Sequence, residues 1–222
     1  MFRLAKNWDF LISVPADLRF YLNSMIYSAA ILLGQMIVVP ATAYGLSRFR
    51  FPGRDLLMLL VIMLLLWPFQ VTMIPTVLSL RSMGLLDTIW AMILPSLASP
   101  LYIFLLRQSM LTIPDELFEA GQLDGAGPIR CYFHIAIPVS RPMLGAFLAL
   151  SFADCWNMVE QPMVFLPANT KLLPLSVGFH DLSDNQIACC FAGATLYLLP
   201  ALMVYLFFQE DIISGVQLSG LK

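Results

Sequence analysis

The sequence predicts an all-α, polytopic membrane protein of about five transmembrane helices, and three observations predict it. Hydrophobic residues make up 59% of the 222-residue chain and charged residues only 12%, about half the charge of a soluble domain. The charges cluster, leaving charge-free windows at Phe20–Ser47, Leu56–Leu80, Thr88–Leu106 and Asn185–Gln209. Each window supplies the roughly 18–20 residues that cross a ~30 Å hydrocarbon layer as helix. Met143–Leu166 is a fifth candidate span, interrupted by Asp154 and Glu160. None of these runs alternates polar with apolar at period two, as the strands of a closed barrel would.

The whole chain, 1–222, therefore reads as one transmembrane domain. Residues 1–20 form an N-terminal segment ahead of the first span, 108–141 a polar loop between the third and fourth, and 209–222 a tail. Arg48, Arg50 and Arg54 crowd the first connection, and Arg107, Arg130 and Arg141 flank or occupy the loop, whereas the other connections offer Arg81 and Lys171. Positive charge is retained on the cytoplasmic side, which places the Arg48–Arg54 turn, the loop and the C-terminus there. With five spans the N-terminus is then outside, where Arg3, Lys6 and Arg19 face only Asp9 and Asp17; a further span ahead of Met1 would relieve that strain. Pro40, Pro68, Pro75, Pro95, Pro100, Pro162 and Pro200 fall in or beside the spans. Each removes a helical hydrogen bond, and such kinks can line a route through a bundle.

The loop carries the most information about function. Pro114 suits a first helical turn, with Thr112 as its cap and Asp115, Glu116 and Glu119 at the end that favours negative charge. Leu117, Ala120 and Gly121 share one face, and Asp124-Gly125 breaks the helix, glycine supplying the positive φ of a sharp reversal. A second helix starts near Pro128 and is expected to end at Pro138. Its Ile129, Tyr132, Phe133, Ala136 and Ile137 recur at helical spacing as one apolar stripe. An acidic helix joined to an amphipathic one fits a seat for a soluble partner better than a lipid-lying hairpin, whose polar face would be basic.

The loop resembles the signature of binding-protein-dependent ABC transporter permeases, E-A-A, three residues, G, nine residues, I-x-L-P. Here it reads Glu119-Ala120-Gly121, then Gly125, then Ile135-Ala136-Ile137-Pro138 at the same spacing, with Asp124 beside the glycine. Gly121 replaces the second alanine and Ile137 the leucine; the glycine costs the first helix up to about 1 kcal/mol. Asn23-Ser24, Ala43–Arg54 (A-Y-G-L-S-R-F-R-F-P-G-R), Met73–Thr76, Gly84–Thr88 and Trp156-Asn157 extend the resemblance to the carbohydrate-type, maltose and multiple-sugar branch, in the subunit usually encoded second. The resemblance implies a permease that pairs with a second permease as a heterodimer, two ATP-binding subunits and an external solute-binding protein. Its loop would seat in the ATPase through Glu119, Ala120, Gly121, Asp124, Gly125, Ile135 and Pro138. The family has six spans, so this chain starts in what resembles the segment after the first. Two further departures are Met158-Val159, where an acid and an aromatic usually follow Trp156-Asn157, and the acidic Gln209-Glu210-Asp211 in a tail that is generally basic.

Asp154 lies eleven residues beyond Met143, roughly 17 Å along a helix, and so near the middle of the predicted span. An ionisable group there faces a cavity or bundle interior by default. With Trp156, Asn157 and Gln161 it can bind hydroxyls and stack on a sugar in the translocation pathway, or anchor neighbouring helices. A net charge of −2 without a basic cluster excludes nucleic acid as a partner. Cys131, Cys155, Cys189, Cys190, His134 and His180 show no metal-ligand spacing, and no cofactor is implied. The chain has no G-x-x-x-x-G-K-[ST] loop, so ATP hydrolysis is expected in a partner chain. The competing readings are an ion-coupled secondary transporter using Asp154, a permease for a non-sugar solute, and a membrane enzyme pairing Asp154 with Glu160 or His180.

Overall fold

A computed structural model describes residues 15–178 and 187–220, with side chains over 19–178 and 194–215. Arg3, Lys6, Asp9, His180 and Lys222 lie outside the described residues, as do the side chains of Asp17, Cys189 and Cys190. The elements are α1 (Pro15–Arg48), α2 (Arg54–Leu66), α3 (Phe69–Ser82), α4 (Ile89–Ser96), α5 (Pro100–Leu111), α6 (Asp115–Leu123) and α7 (Pro128–Cys131). A π-helical turn (Tyr132–Ala136) follows, then α8 (Ile137–Val139), α9 (Arg141–Trp156), α10 (Glu160–Phe165), a 3-10 turn (Thr170–Leu172), α11 (Leu175–Gly178) and α12 (Ile187–Gly220). Among the described residues there is no strand.

Arg19–Arg48, Ile89–Leu111 and Ala194–Gly215 are long and apolar enough to cross a membrane. Two bent pairs, Arg54–Leu66 with Phe69–Ser82 and Pro128–Val139 with Arg141–Trp156, raise the count to five if each is one span. Proline explains where the helices break. Trp67, preceding Pro68, is extended at φ −80°, ψ 125° and ends α2. Pro100 occupies the first turn of α5, where its missing N–H costs nothing. Pro40, Pro75, Pro95 and Pro200 stay inside helices.

The predicted span Met143–Leu166 is not one helix. It stops at Trp156 and resumes as α10 after Asn157–Val159. A continuous helix would drive the Pro162 ring into the carbonyl of Met158. The carbonyl freed by the break accepts from Ser176 Oγ instead. Asp154 consequently sits two residues from the end of a 16-residue helix, not in the middle of a long one. The residues read as a separate tail, 209–222, continue α12 as helix through Gly220.

The chain divides into two compact units. One comprises residues up to Leu32, Gln70–Ser96 and Ser151–Leu206. Its organising element is the irregular stretch 165–175, held from two directions. Asn23 Nδ2 donates to the carbonyls of Lys171 and Leu173, both at 2.9 Å, and Tyr27 Oη donates to that of Leu172 at 2.7 Å. Ser24 Oγ accepts from the Leu175 N–H at 2.8 Å. Asp87 adopts a left-handed φ of 61°, and its Oδ1 accepts from the N–H groups of Ala168 (2.7 Å) and Asn169 (3.1 Å). The Asp87 N–H in turn donates to the Phe165 carbonyl at 3.0 Å. These contacts satisfy backbone groups that no regular element pairs.

The second unit comprises Leu33–Phe69, Leu97–Leu150 and residues from Phe207 onward. Val39, Ala43 and Tyr44 of α1 share its core with Leu106 and Met110 of α5 and Phe147 of α9. Helix α2 packs along α5. The end of α12 crosses the start of α9 closely: the Asp211 side chain occupies the space a Cβ on Gly145 would need, and a Cβ on Gly215 would lie 2.9 Å from that of Ala146.

Replacing Asp87 by alanine removes a charged acceptor shared by two amides and is expected to cost about 2 kcal/mol. Asp87→Asn, which keeps an acceptor and tolerates left-handed φ, should cost less than half of that. Thermal unfolding in detergent, with the rate of proteolytic cleavage between 165 and 175, reads both. Equal stability of the alanine and wild-type chains would show that Asp87 does not hold the 165–175 stretch.

Candidate functional site

The predicted two-helix loop exists and is built into the core of the second unit. Phe118 of α6, Cys131 of α7 and Ala136 of the π turn belong to the same buried cluster as α1, α5 and α9. Helix α6 begins after Pro114, which is its N-cap rather than its first residue. Thr112 does not cap it, because its hydroxyl donates back to the Ser109 carbonyl at 2.8 Å. Asp115 and Glu116 occupy the first turn as expected. The helix ends at Asp124, whose N–H reaches the carbonyls of Ala120 and Gln122, and Gly125 follows at φ 79°. Pro128 opens α7.

Gly121 has a packing reason that its helix propensity hides. A Cβ there would meet Ile135 Cδ1 at 3.0 Å and Cys131 Sγ at 3.6 Å. The glycine lets the two helices of the hairpin approach, offsetting the weaker helix. Ala120 and Leu117, predicted to share its face, are exposed.

The single apolar stripe predicted for the second helix is split. Tyr132–Ala136 is π-helical, with a longer turn than the 3.6 residues on which the prediction rested. Cys131 and Ala136 are buried, while Ile129 is 75% and Phe133 60% exposed. Pro138 does not end the helix, which runs to Val139 and turns by 75° into α9 after Ser140. The hairpin thus shows outward an acidic face with Glu119, Ala120 and Asp124 exposed, and an apolar one with Leu123, Ile129 and Phe133. Gly125 and Pro138 are also exposed, and Ile135 is half-buried.

Arg48, the last residue of α1, fixes the hairpin to the spans. Its guanidinium pairs with Asp115 and donates to the carbonyls of Met110 (2.6 Å) and Ile113 (2.7 Å). It also lies 4.0 Å from the centroid of the Phe118 ring. The Arg48 side chain is 13% exposed. In return, Arg107 Nε of α5 donates to the Leu46 carbonyl at 3.1 Å. Each arginine therefore satisfies carbonyls left unpaired at the end of the other's helix. One turn before Arg48, Tyr44 Oη donates to the Pro128 carbonyl at 3.1 Å, and its ring contacts those of Phe118 and Tyr132. Sequence reasoning missed Arg48 and Tyr44 as functional. The signal was present, since Arg48 is the first charge after a 28-residue apolar window, Phe20–Ser47.

The four predicted pathway residues belong to the other unit. Asp154 and Asn157 are exposed and Gln161 is half-buried. Trp156 is fully buried. Its ring packs on Tyr21, Phe152 and Tyr197, and Nε1 donates to the Tyr197 carbonyl at 3.0 Å. Within this chain it has no open face for a sugar and serves as a packing anchor. Tyr197 Oη donates to Asn157 Oδ1 at 2.6 Å, and Asn157 Nδ2 donates to the Ala153 carbonyl at 2.8 Å, so the amide is oriented from both ends. Glu160 accepts from Gln70 Nε2 through both oxygens at 3.0 Å. No cluster of metal-ligating side chains occurs among the described residues.

Residues 36–214 match the family described as "Binding-protein-dependent transport system inner membrane component". The chain is 30% identical over 203 residues to the arabinooligosaccharides transport system permease protein AraQ of Halalkalibacterium halodurans, covering 90% of this chain and 72% of that one. It is 32% identical over 200 residues to the sn-glycerol-3-phosphate transport system permease protein UgpE of Yersinia pestis bv. Antiqua, covering 88% and 71%. A bacterial ABC transporter involved in the import of the acidic polysaccharide alginate matches at a TM-score of 0.74 and 24% identity, over 97% of this chain and 79% of that one. A crystal structure of the bacterial alginate transporter in complex with an alginate pentasaccharide-bound periplasmic protein matches at a TM-score of 0.71 and 16% identity, over 90% and 80%. At these identities the likeness to the two structures is one of fold.

Arg48→Ala removes an ion pair and two charged hydrogen bonds from a mostly buried position and is expected to destabilise the second unit by about 3 kcal/mol. Arg48→Lys keeps the charge and loses the planar fork, for a cost of about 1–2 kcal/mol. Hydrogen exchange over 112–124 should rise in both variants, in that order. Unchanged protection in Arg48→Ala would show that the arginine does not hold the hairpin.

Proposed function

Because the chain belongs to the family of binding-protein-dependent transport system inner membrane components, we propose that it is the permease subunit of an ATP-driven importer of sugars or related polyols. The observation that carries the reading is the hairpin, which presents Glu119 and Asp124 outward while Phe118 and Cys131 are packed into the core of α1, α5 and α9. A partner that grips the exposed face therefore moves the spans directly. Such a grip serves transport only if the partner binds one conformation better than another. Differential affinity of the ATPase's closed form for the hairpin would meet that requirement.

The sugar class rests on the named relatives, which transport arabinooligosaccharides and glycerol phosphate. The assembly comprises this chain, a second permease, two ATP-binding subunits and an external solute-binding protein; the alginate transporter complexed with a periplasmic protein supports the last of these. The chain itself is not the ATPase. Its 108–141 loop and C-terminus face the cytoplasm, following the arginines at 48, 50, 54, 107, 130 and 141. Glu119, Ala120, Gly121, Asp124, Gly125, Ile135 and Pro138 form the coupling seat. In this reading Asp154, Asn157 and Gln161 contribute polar groups to the pathway, with Tyr197, packed on Trp156, orienting the Asn157 amide.

Co-purification from membranes expressing the whole importer tests this. Glu119→Lys should reduce ATPase recovered with this chain by about tenfold, through an opposite charge at the seat. Gly125→Pro should do the same by denying the turn its positive φ. Full recovery of the ATPase with both variants would reject the hairpin as its docking site.

A further inference from the structure

We propose that the cleft beside the first connection binds the phosphate of an anionic phospholipid through Arg50 and Arg54. The cleft is about 600 Å³ and lies within the second unit, bounded by Tyr44, Ser47, Arg48, Phe49, Arg50 and Arg54. Asp115, Phe118, Glu119 and Gln122 of the hairpin also line it. The three arginines are not equivalent. Arg48 is committed to Asp115 and two carbonyls. Arg50 has no hydrogen bond or ion pair among the described residues. Arg54 reaches only its neighbour Asp55, at 3.3 Å, and that carboxylate is 89% exposed. Arg50 thus lines a concave surface unpaired, and Arg54 beside it holds only a solvent-exposed partner that a ligand phosphate could replace.

Their position selects the ligand. Arg54 opens α2, whose Leu56, Leu57, Leu59 and Leu60 are all exposed. The arginines therefore sit within a turn of an apolar surface of the kind that hydrocarbon covers, which sets them at the depth of lipid headgroups. Phe49 and Phe51, interleaved with Arg50, are also exposed and add apolar surface beside the arginines, Phe49 with one ring edge against Tyr44. Helix α2 starts without a side-chain cap, so its first amides add to the positive potential. Charge on the hairpin matters as well. Asp115 is neutralised by Arg48, but Glu119 remains and repels a second negative charge. A singly charged phosphodiester fits this cleft better than a doubly charged free phosphate. The acyl chains of such a lipid would run along the exposed leucines of α2. The assignment goes beyond the import reading and does not depend on it.

The full chain, extracted in mild detergent with its bound partners, is mixed with phosphatidylglycerol or phosphatidylcholine of equal chain length. Retained lipid is counted by native mass spectrometry. Phosphatidylglycerol should be retained preferentially, and the double variant Arg50→Gln, Arg54→Gln should lower its affinity by about thirtyfold while keeping the same amount of ATPase. Undiminished phosphatidylglycerol binding in the double variant overturns the proposal. So does loss of the ATPase in that variant, which would make the arginines a protein contact. Displacement of the lipid by excess inorganic phosphate would identify a free anion as the ligand and overturn it equally.

Discussion

A mostly buried guanidinium at the end of a membrane span is the constraint on which the second unit depends. A charge taken from water must be matched on every side or it destabilises the fold. The two terminal nitrogens of Arg48 are matched by a carboxylate and two carbonyls and its face by an aromatic ring, all from the stretch Met110–Phe118, while its buried Nε has no hydrogen-bond partner among the described residues. That stretch is where α5 ends and the hairpin begins, so satisfying the arginine dictates the angle at which the hairpin leaves the span. Charge-assisted bonds of this kind are stronger than neutral ones and directional. Arg107 repeats the arrangement in reverse, on the last turn of α1. The two helix ends are joined by each other's side chains, and the hairpin inherits their rigidity.

The first unit solves a related problem with neutral and anionic side chains. Its irregular stretch 165–175 carries carbonyls and amides that no helix pairs, and polar side chains from α1 and from Asp87 meet them one by one. Asp87 holds a backbone conformation unfavourable for a residue with a side chain, and the amides it binds offset that strain. In both units, polar residues set in apolar sequence pair backbone groups at places where the helices stop.

Much of this was legible in the sequence. Charge-free windows located the spans because lipid-facing helices tolerate no charge, and their limits agree with the helices to within a few residues at Arg48, Arg54 and Ser82, although the 108° bend between Leu66 and Phe69 inside the second window was not foreseen. The turn at Asp124-Gly125 was readable because only glycine adopts its φ without strain. What failed did so for physical reasons. The stripe from Ile129 to Ile137 was read with a period of 3.6, and no residue type announces the π-helical turn that displaces it. Trp156 looked like a stacking platform, but an aromatic ring is equally at home in a core, and Tyr21, Phe152 and Tyr197 enclose it. The position of Asp154 was judged on a long helix that Pro162 forbids. Asn23, Ser24 and Asp87 stood out only as parts of familiar motifs, since their partners lie 80 to 150 residues away.

Arg48 joins the exposed hairpin to the spans, so force applied to the hairpin should reach them through it. The ratio of solute taken up to ATP hydrolysed tests it most directly, measured in proteoliposomes carrying equal amounts of assembled importer with wild-type chain or Arg48→Gln. The variant complex should still hydrolyse ATP while uptake per ATP falls severalfold, because the seat would be occupied but loosely joined to α1 and α5. An unchanged ratio in the variant would contradict it.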